Sequence, residues 1–449
     1  IGLGTVWILD GLEVTIVSAV AGRLSEPGSG LALDAAQIGL AGAIYIAGAV
    51  SGALLFGYLA DRYGRKKLFL ITLGLYLAAT VLTAFVTSAW WFYLCRFFTG
   101  AGIGGEYAAI NSAIDELIPA RLRGRVALFI NGSYWVGVAG GAGLSVILLD
   151  TDIFAADLGW RLAFGLGAIL GLGILLVRRH VPESPRWLYI HGRAHEAEAL
   201  VDGIEKEIEN KLGEPLPEPE TSITVRQRGS IGFITIARTM FKVYPKRAWL
   251  CFSLFTGQAF LYNAIFFTYV LVLTTFYGVP AGTAPLYLIP FAIGNFLGPA
   301  LLGPQFDTIG RRAMISGTYI LAGLLLAGTG YLFVQGVLTA VTQTLAWMVI
   351  FFFASAGASA AYLTASEVFP MEIRALAIAF FFAIGTAVGG ISGPLVFGAL
   401  IETARAADVF MGYVLGAALM IAAGLVEVFI GVDAERRSLE DIATPLTAE

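Results

Sequence analysis

Charged residues are scarce in this chain. Only 13% of its 449 residues are Asp, Glu, Lys or Arg, against 57% apolar, and the mean hydropathy is +0.79. Soluble domains carry roughly 25% charge, so the water-facing surface that a body of this size needs is missing and a membrane-embedded one is implied. Cysteine is nearly absent as well. Cys95 and Cys251 each lie inside an apolar run, which excludes a disulfide framework or a thiolate metal site and leaves them as small core residues. The three histidines, His180, His191 and His195, share one polar stretch, and there is neither a Ser-His-Asp set nor a G-x-x-x-x-G-K-[ST] phosphate loop. An enzyme and an ATP-driven pump are both disfavoured, no metal or cofactor is expected, and a net charge of −4 offers nothing to nucleic acid. The segment from Ile1 lacks a basic n-region and a cleavage site, and reads as a first spanning helix rather than a signal peptide.

Long apolar runs fill the space that charge leaves. A bilayer core of about 30 Å takes about 20 residues per helix. That template predicts spans over 1–23, 36–60, 68–88, 90–116, 125–149 and 160–179, then 247–275, 282–305, 313–335, 338–367, 374–402 and 409–431. The domains expected are a six-helix bundle over 1–180, a cytoplasmic linker over 181–246, a second bundle over 247–432 and a tail over 433–449. In the linker, Ser184 followed by Pro185 is a helix start, 215–220 (PLPEPE) is a proline-rich spacer, and 230–243 has the spacing of a helix lying on the membrane surface. Of 28 Lys and Arg, 24 fall on one side of this arrangement, while Arg23, Arg161 and Arg405 fall on the other and Arg96 lies inside a span. The bias places both termini and the linker in the cytoplasm.

Two motifs occur twice. GYLADRYGRK (57–66) is matched by GPQFDTIGRR (303–312) at an offset of 246, aligning Asp61, Gly64 and Arg65 with Asp307, Gly310 and Arg311. Glu116, Pro119 and Arg123 are matched by Glu367, Pro370 and Arg374 at an offset of 251. Two independent matches at nearly one offset make the halves repeats. Glycine allows the tight turn, and the carboxylates Asp61, Asp307, Glu116 and Glu367 can pair with Arg65, Arg311, Arg123 and Arg374 across the seam between halves. Such pairs would form a gate at the cytoplasmic face; the plainer alternative is a set of topology determinants with local salt bridges.

These loops resemble the signature loops of the major facilitator superfamily. PESPRWL (182–188), the Glu-x-x-Pro-x-x-x-Arg elements and the tail RSLEDI (437–442) are similar to its sugar porter branch, which shades into proton-coupled metabolite transporters. The resemblance implies an all-α membrane protein of twelve transmembrane helices, with two six-helix bundles rocking about a midplane site. Its partners would be a small-molecule substrate, protons as the coupling ion, and the lipid bilayer of the cytoplasmic membrane.

Ionisable groups within spans are functional candidates by default. Asp10 and Glu13 are three apart and share a helix face, while Arg96 and Glu106 lie about 15 Å apart along one helix. The resemblance puts Glu13 at the family's proton-coupling position with Arg96 as its partner and Asp10 as the alternative; a static ion pair is the competing role. Glu106 sits in the glycine-rich stretch 100–105, which also suits close helix packing, and Glu427 lies near enough to its helix end to snorkel. For substrate, Gln258 and Asn263 resemble the family's span-seven amide pattern, with Gly257, Tyr262 and Phe266-Phe267 departing from it. Asn131 falls at a span-five Gln position, Asn295 is the span-eight candidate, and Tyr362 occupies the place of a Trp. Each amide could equally be an interhelical hydrogen bond. The departures favour a solute smaller or less hydroxylated than a hexose, with an organic acid read by Arg96 as one option. A proton-coupled symporter is the leading expectation; a uniporter or proton antiporter on the same fold, and a non-transporting receptor, are the alternatives.

Overall fold

The computed structural model describes residues 2–24, 27–33, 35–178, 183–216, 237–279, 284–370 and 373–444, and these contain helices and no strand. In hydrocarbon every backbone N–H must be satisfied within its own segment, so the apolar runs fold as helices. In the first half these are α1 (Gly2–Leu24), α2 (Ala35–Tyr63), α3 (Arg65–Thr83), α4 (Ala89–Leu117), α5 (Arg123–Gly132), α6 (Tyr134–Leu148) and α7 (Gly159–Arg178). Two polar helices follow, α8 (Pro185–Ile190) and α9 (Ala194–Leu212). The second half holds α10 (Pro245–Tyr277), α11 (Leu288–Thr308), α12 (Arg311–Val334), α13 (Ala340–Glu367), α14 (Arg374–Gly385), α15 (Ile391–Glu402) and α16 (Ala406–Ile430), and α17 (Leu439–Ile442) closes the tail. Among the described residues, seven stretches are long and apolar enough to cross a membrane.

Local chemistry sets several boundaries. Gly64 and Gly310 separate α2 from α3 and α11 from α12 with φ of 99° and 119°, a conformation that favours glycine, so the sequence repeat is also a backbone repeat. Thr339 and Thr342 form a reciprocal cap at the start of α13, and Ser184 accepts from the Trp187 amide at the start of α8.

Two expected spans are interrupted. The run over 125–149 divides at Ser133, whose hydroxyl donates to the carbonyls of Ile130 (2.6 Å) and Gly4 (3.1 Å). The run over 374–402 contains a π turn at Thr386–Gly390, where Gly389 lies against the backbone of Ala259 and Phe260 in α10. Of the expected surface helix over 230–243, only 237–243 lies within the described residues, and it includes a π turn at Thr239–Val243.

Within the first half, α1 crosses α6 and α2 crosses α4; in the second, α12 packs on α16 and α11 on α13. Across the seam, α5 packs on α11 and α13, and α2 and α4 pack on α14. The loop-motif arginines lie at one end of the bundle, the basic end. At the other, Arg23 donates to the Leu149 carbonyl (2.6 Å), and Arg161 donates to those of Ala84 (2.9 Å) and Val86 (2.8 Å), capping helix ends.

The α1–α6 crossing is backbone on backbone. A Cβ on Gly137 would overlap the Ile8 carbonyl. Gly137→Val should therefore part the helices and destabilise the fold by about 1–3 kcal/mol. Thermal unfolding of the detergent-solubilised protein checks this; an unchanged Tm would show that the crossing tolerates a side chain.

Candidate functional site

A cavity of about 220 Å³ lies between the halves. That is below the roughly 300–1,000 Å³ of pockets for drug-sized ligands, so its occupant is compact. Each half supplies four aromatic residues to the wall: Trp7, Tyr45, Tyr134 and Trp135 from the first, and Tyr262, Phe266, Tyr362 and Phe382 from the second. Asn131, Gln258, Asn263, Ser355, Ser359 and Thr386 add the polar groups, and no described lining residue carries a formal charge.

Five of the six substrate candidates, Asn131, Gln258, Tyr262, Asn263 and Tyr362, are thus brought together. Asn295 is not. It is fully buried behind the wall, accepting from the Tyr262 hydroxyl through Oδ1 (2.8 Å) and donating to the Phe291 carbonyl through Nδ2 (2.9 Å). Asn295 therefore fixes the tyrosine that faces the cavity. Asn263 donates to the Ala259 carbonyl at 2.7 Å, beside the π turn.

Among the described residues, the intramembrane charges also stand back from the cavity. Arg96 is buried with its guanidinium carbon 5.8 Å from the ring centre of Tyr45, 5.9 Å from Phe92 and 5.3 Å from Phe164, and it donates to the Thr99 hydroxyl at 3.3 Å. Since Tyr45 lines the cavity, one ring separates Arg96 from a bound solute. Asp10 and Glu106 are each fully buried. The side chain of Glu13 lies outside the described residues, as do those of Asp61, Arg65 and Glu116.

Four of the gate candidates at the basic end, Arg123, Asp307, Arg311 and Glu367, form one buried network. Arg311 pairs with both oxygens of Glu367, Nε to Oε2 and Nη2 to Oε1 at 3.1 Å each, and with Asp307 Oδ1 at 2.9 Å. All of these contacts lie within the second half. Crossing the seam, Arg123 reaches Glu367 at 3.4 Å, and Asp307 accepts from the backbone amides of Gly124 (3.0 Å) and Arg125 (2.7 Å). The expected carboxylate–arginine seam is thus partly replaced by a carboxylate on a helix N-terminus, where oriented amides and the helix dipole favour an anion. A Cβ at Gly124 would strike both Asp307 and Arg311. Arg374 is buried on the same side.

Sequence reading missed the groups that brace this network. Glu183 of the linker accepts from the Lys66 amide at the start of α3, and Glu435 of the tail accepts from the Arg311 amide (3.2 Å) at the start of α12. They are one device used twice, at an offset of 252 that the motif search could have found. Linker and tail are joined by Arg186 and Glu440 at 2.9 Å.

Residues 16–445 match the family model described as sugar (and other) transporter. The chain belongs to that family. It is an integral, multi-pass membrane transporter of the sugar porter-like kind, and its fold is that of a major facilitator superfamily protein. It is 28% identical to a niacin transporter of Acinetobacter baylyi over 98% of this chain and 94% of that one. It is 30% identical to a putative metabolite transport protein of Escherichia coli over 82% of this chain and 78% of that one. Its fold superposes on the proton:xylose symporter XylE bound to 6-bromo-6-deoxy-D-glucose with a TM-score of 0.81, at 18% identity over 98% and 97% of the two chains. Against a partially occluded inward-open form of the E. coli xylose transporter the TM-score is 0.66, at 18% identity over 94% of each chain.

Two predictions follow from these contacts. Burial disfavours the charged Glu440, but the Arg186 charge and hydrogen bond, with Arg374 nearby, hold its carboxyl below the usual carboxylate range. A depressed value means that the linker–tail tie is fully present above about pH 4 and is lost as pH falls through the lowered value. Hydrogen exchange of 439–442 should rise under those conditions, and Glu440→Gln should raise it at neutral pH by the equivalent of about 1 kcal/mol or less; exchange indifferent to both would remove the tie. Tyr262→Phe should weaken binding of a transported solute about fivefold to tenfold by freeing Asn295 and removing a cavity hydroxyl. Equal affinity in a binding titration would show that the hydroxyl is only structural.

Proposed function

We propose that this chain is a proton-coupled symporter that moves a small, ring-bearing or sugar-like metabolite across the cytoplasmic membrane by alternating access. In this reading α5 with α6, and α14 with α15, each count as one interrupted span. Residues 1–180 and 247–432 are then two six-helix bundles, 181–246 and 433–449 are linker and tail, and both termini are cytoplasmic. The basic end is the cytoplasmic face, in keeping with the Lys and Arg bias.

The observation that carries the proposal is the cavity itself. It takes its wall from both halves, and the seam is closed at the basic end by Asp307 on α5 and by Arg123 with Glu367. Rocking that separates those contacts opens the cavity to the cytoplasm, and re-forming them closes it. Coupling falls to Glu13, with Asp10 and Glu106 as the alternative carboxylates and Arg96 as the cation, placed behind Tyr45 where solute binding can shift it.

Substrate choice rests on rings and amides. Eight aromatic side chains offer flat faces, and Asn131, Gln258 and Asn263 offer directed hydrogen bonds. The niacin transporter of A. baylyi makes a ring carboxylate the first solute to test, and the xylose symporter makes a pentose the second.

Uptake of labelled nicotinate and xylose by proteoliposomes, with and without an imposed pH gradient, tests the reading. Accumulation should rise about tenfold with an inward proton gradient of one pH unit at one proton per solute. Glu13→Gln should abolish that accumulation while keeping solute exchange. Equilibration without gradient stimulation in the unmodified protein would make it a uniporter, and full accumulation in Glu13→Gln would remove Glu13 as the coupler.

A further inference from the structure

Glu427 belongs to none of this machinery. It lies three residues before the end of α16 at Ile430, a place from which a long acidic side chain can snorkel to the headgroups. Instead it is 0% exposed, and neither carboxylate oxygen has a hydrogen-bond partner among the described residues.

Its surroundings come from three directions. Cys251 faces it from α10, Tyr319 and Arg312 from α12, and Asp433 from the chain just beyond α16. None of them donates to the carboxylate. The Tyr319 hydroxyl donates to the Leu254 carbonyl at 3.0 Å. Arg312 donates through Nε to the Glu427 backbone carbonyl and through Nη2 to that of Phe429, each at 3.4 Å. The turn at Gly431 closes so tightly over the carboxylate that a Cβ there would collide with it. An anion in this pocket would have neither water nor a donor, whereas a neutral acid needs no counter-charge.

The pocket is tied to the gate. Eight residues beyond Glu427, Glu435 accepts from the Arg311 amide, and the Arg311 side chain holds Asp307 and Glu367. The geometry points to a second proton-binding site: Glu427 holds a proton while the basic end is closed and releases it to cytoplasmic water when that end opens. The O–H bond breaks, its electron pair stays on the carboxylate, water takes the proton, and Arg312 turns from the helix carbonyls to the new anion. The inference rests on the alternating-access reading but not on any particular solute or on Glu13. It also has a sign. Acid closes the basic end through Glu427, whereas acid acting on Asp307 or Glu367 would break the seam and open it.

Spin labels at Leu122 and Ile309, which are exposed and flank the closed seam, report the opening; the native cysteines are buried and stay in place. With the full chain in lipid nanodiscs and no solute, the open-to-closed ratio should rise with pH by up to about tenfold per unit, the limit for one linked proton. Glu427→Gln should hold the closed form at every pH, and Glu427→Asp should restore a pH response. Infrared difference spectra of the same samples should show a protonated-carboxyl C=O band at neutral pH that Glu427→Gln lacks. An unmodified protein without a pH response, a Glu427→Gln variant that keeps it in full, or an infrared band whose intensity the substitution leaves unchanged would overturn the proposal. Absent uptake in proteoliposomes with this titration intact would count against the transport reading alone, and intact uptake with a silent titration against Glu427 alone.

Discussion

The carboxylate of Asp307 on the first amides of α5 is the contact on which the gated end depends. It belongs to one half, its acceptor geometry is completed by the other, and Arg311 holds it at 2.9 Å so that both oxygens face the seam. Charge-assisted bonds of this kind are strong while dry and are readily replaced by water. Beside the apolar packing of α5 on α11, the seam is thus held by a few buried polar contacts that water can replace. Removing one member leaves a buried charge unpaired.

The cavity shows a complementary division. Charge is kept behind its wall, with Arg96 screened by Tyr45, while the wall itself is rings and amides. A solute thus meets surfaces that rank it by shape and hydrogen bonding, and its effect on the charges behind passes through the packing of one or two rings.

Much of this was legible in the sequence, for physical reasons that differ by element. The paired loops are readable because Gly64 and Gly310 adopt positive φ and their acidic and basic neighbours keep fixed spacing, so the repeat survives in one-dimensional form. Helix position follows from hydropathy. The interruptions at Ser133 and Thr386–Gly390 do not, because a π turn among small residues leaves the average hydropathy unchanged. Trp7 and Trp135 were invisible as cavity residues, since apolar periodicity cannot tell a wall from a core. Polarity within a span marks Asn295 as a candidate without saying which layer of the site it occupies. Glu427 was read as a snorkelling residue because distance to a helix end ignores the turn at Gly431 that seals it in.

The account stands on a cavity that opens to one side at a time under control of Asp307. The most direct test is labelling of a cysteine placed at Thr386, a half-buried cavity residue, by a membrane-impermeant thiol reagent applied from either face of oriented vesicles. With Asp307 intact the cysteine should react mainly from the outer face, and with Asp307→Asn it should become reactive from the cytoplasmic face as well. Equal reactivity from both faces before the substitution, or no change after it, would contradict the account.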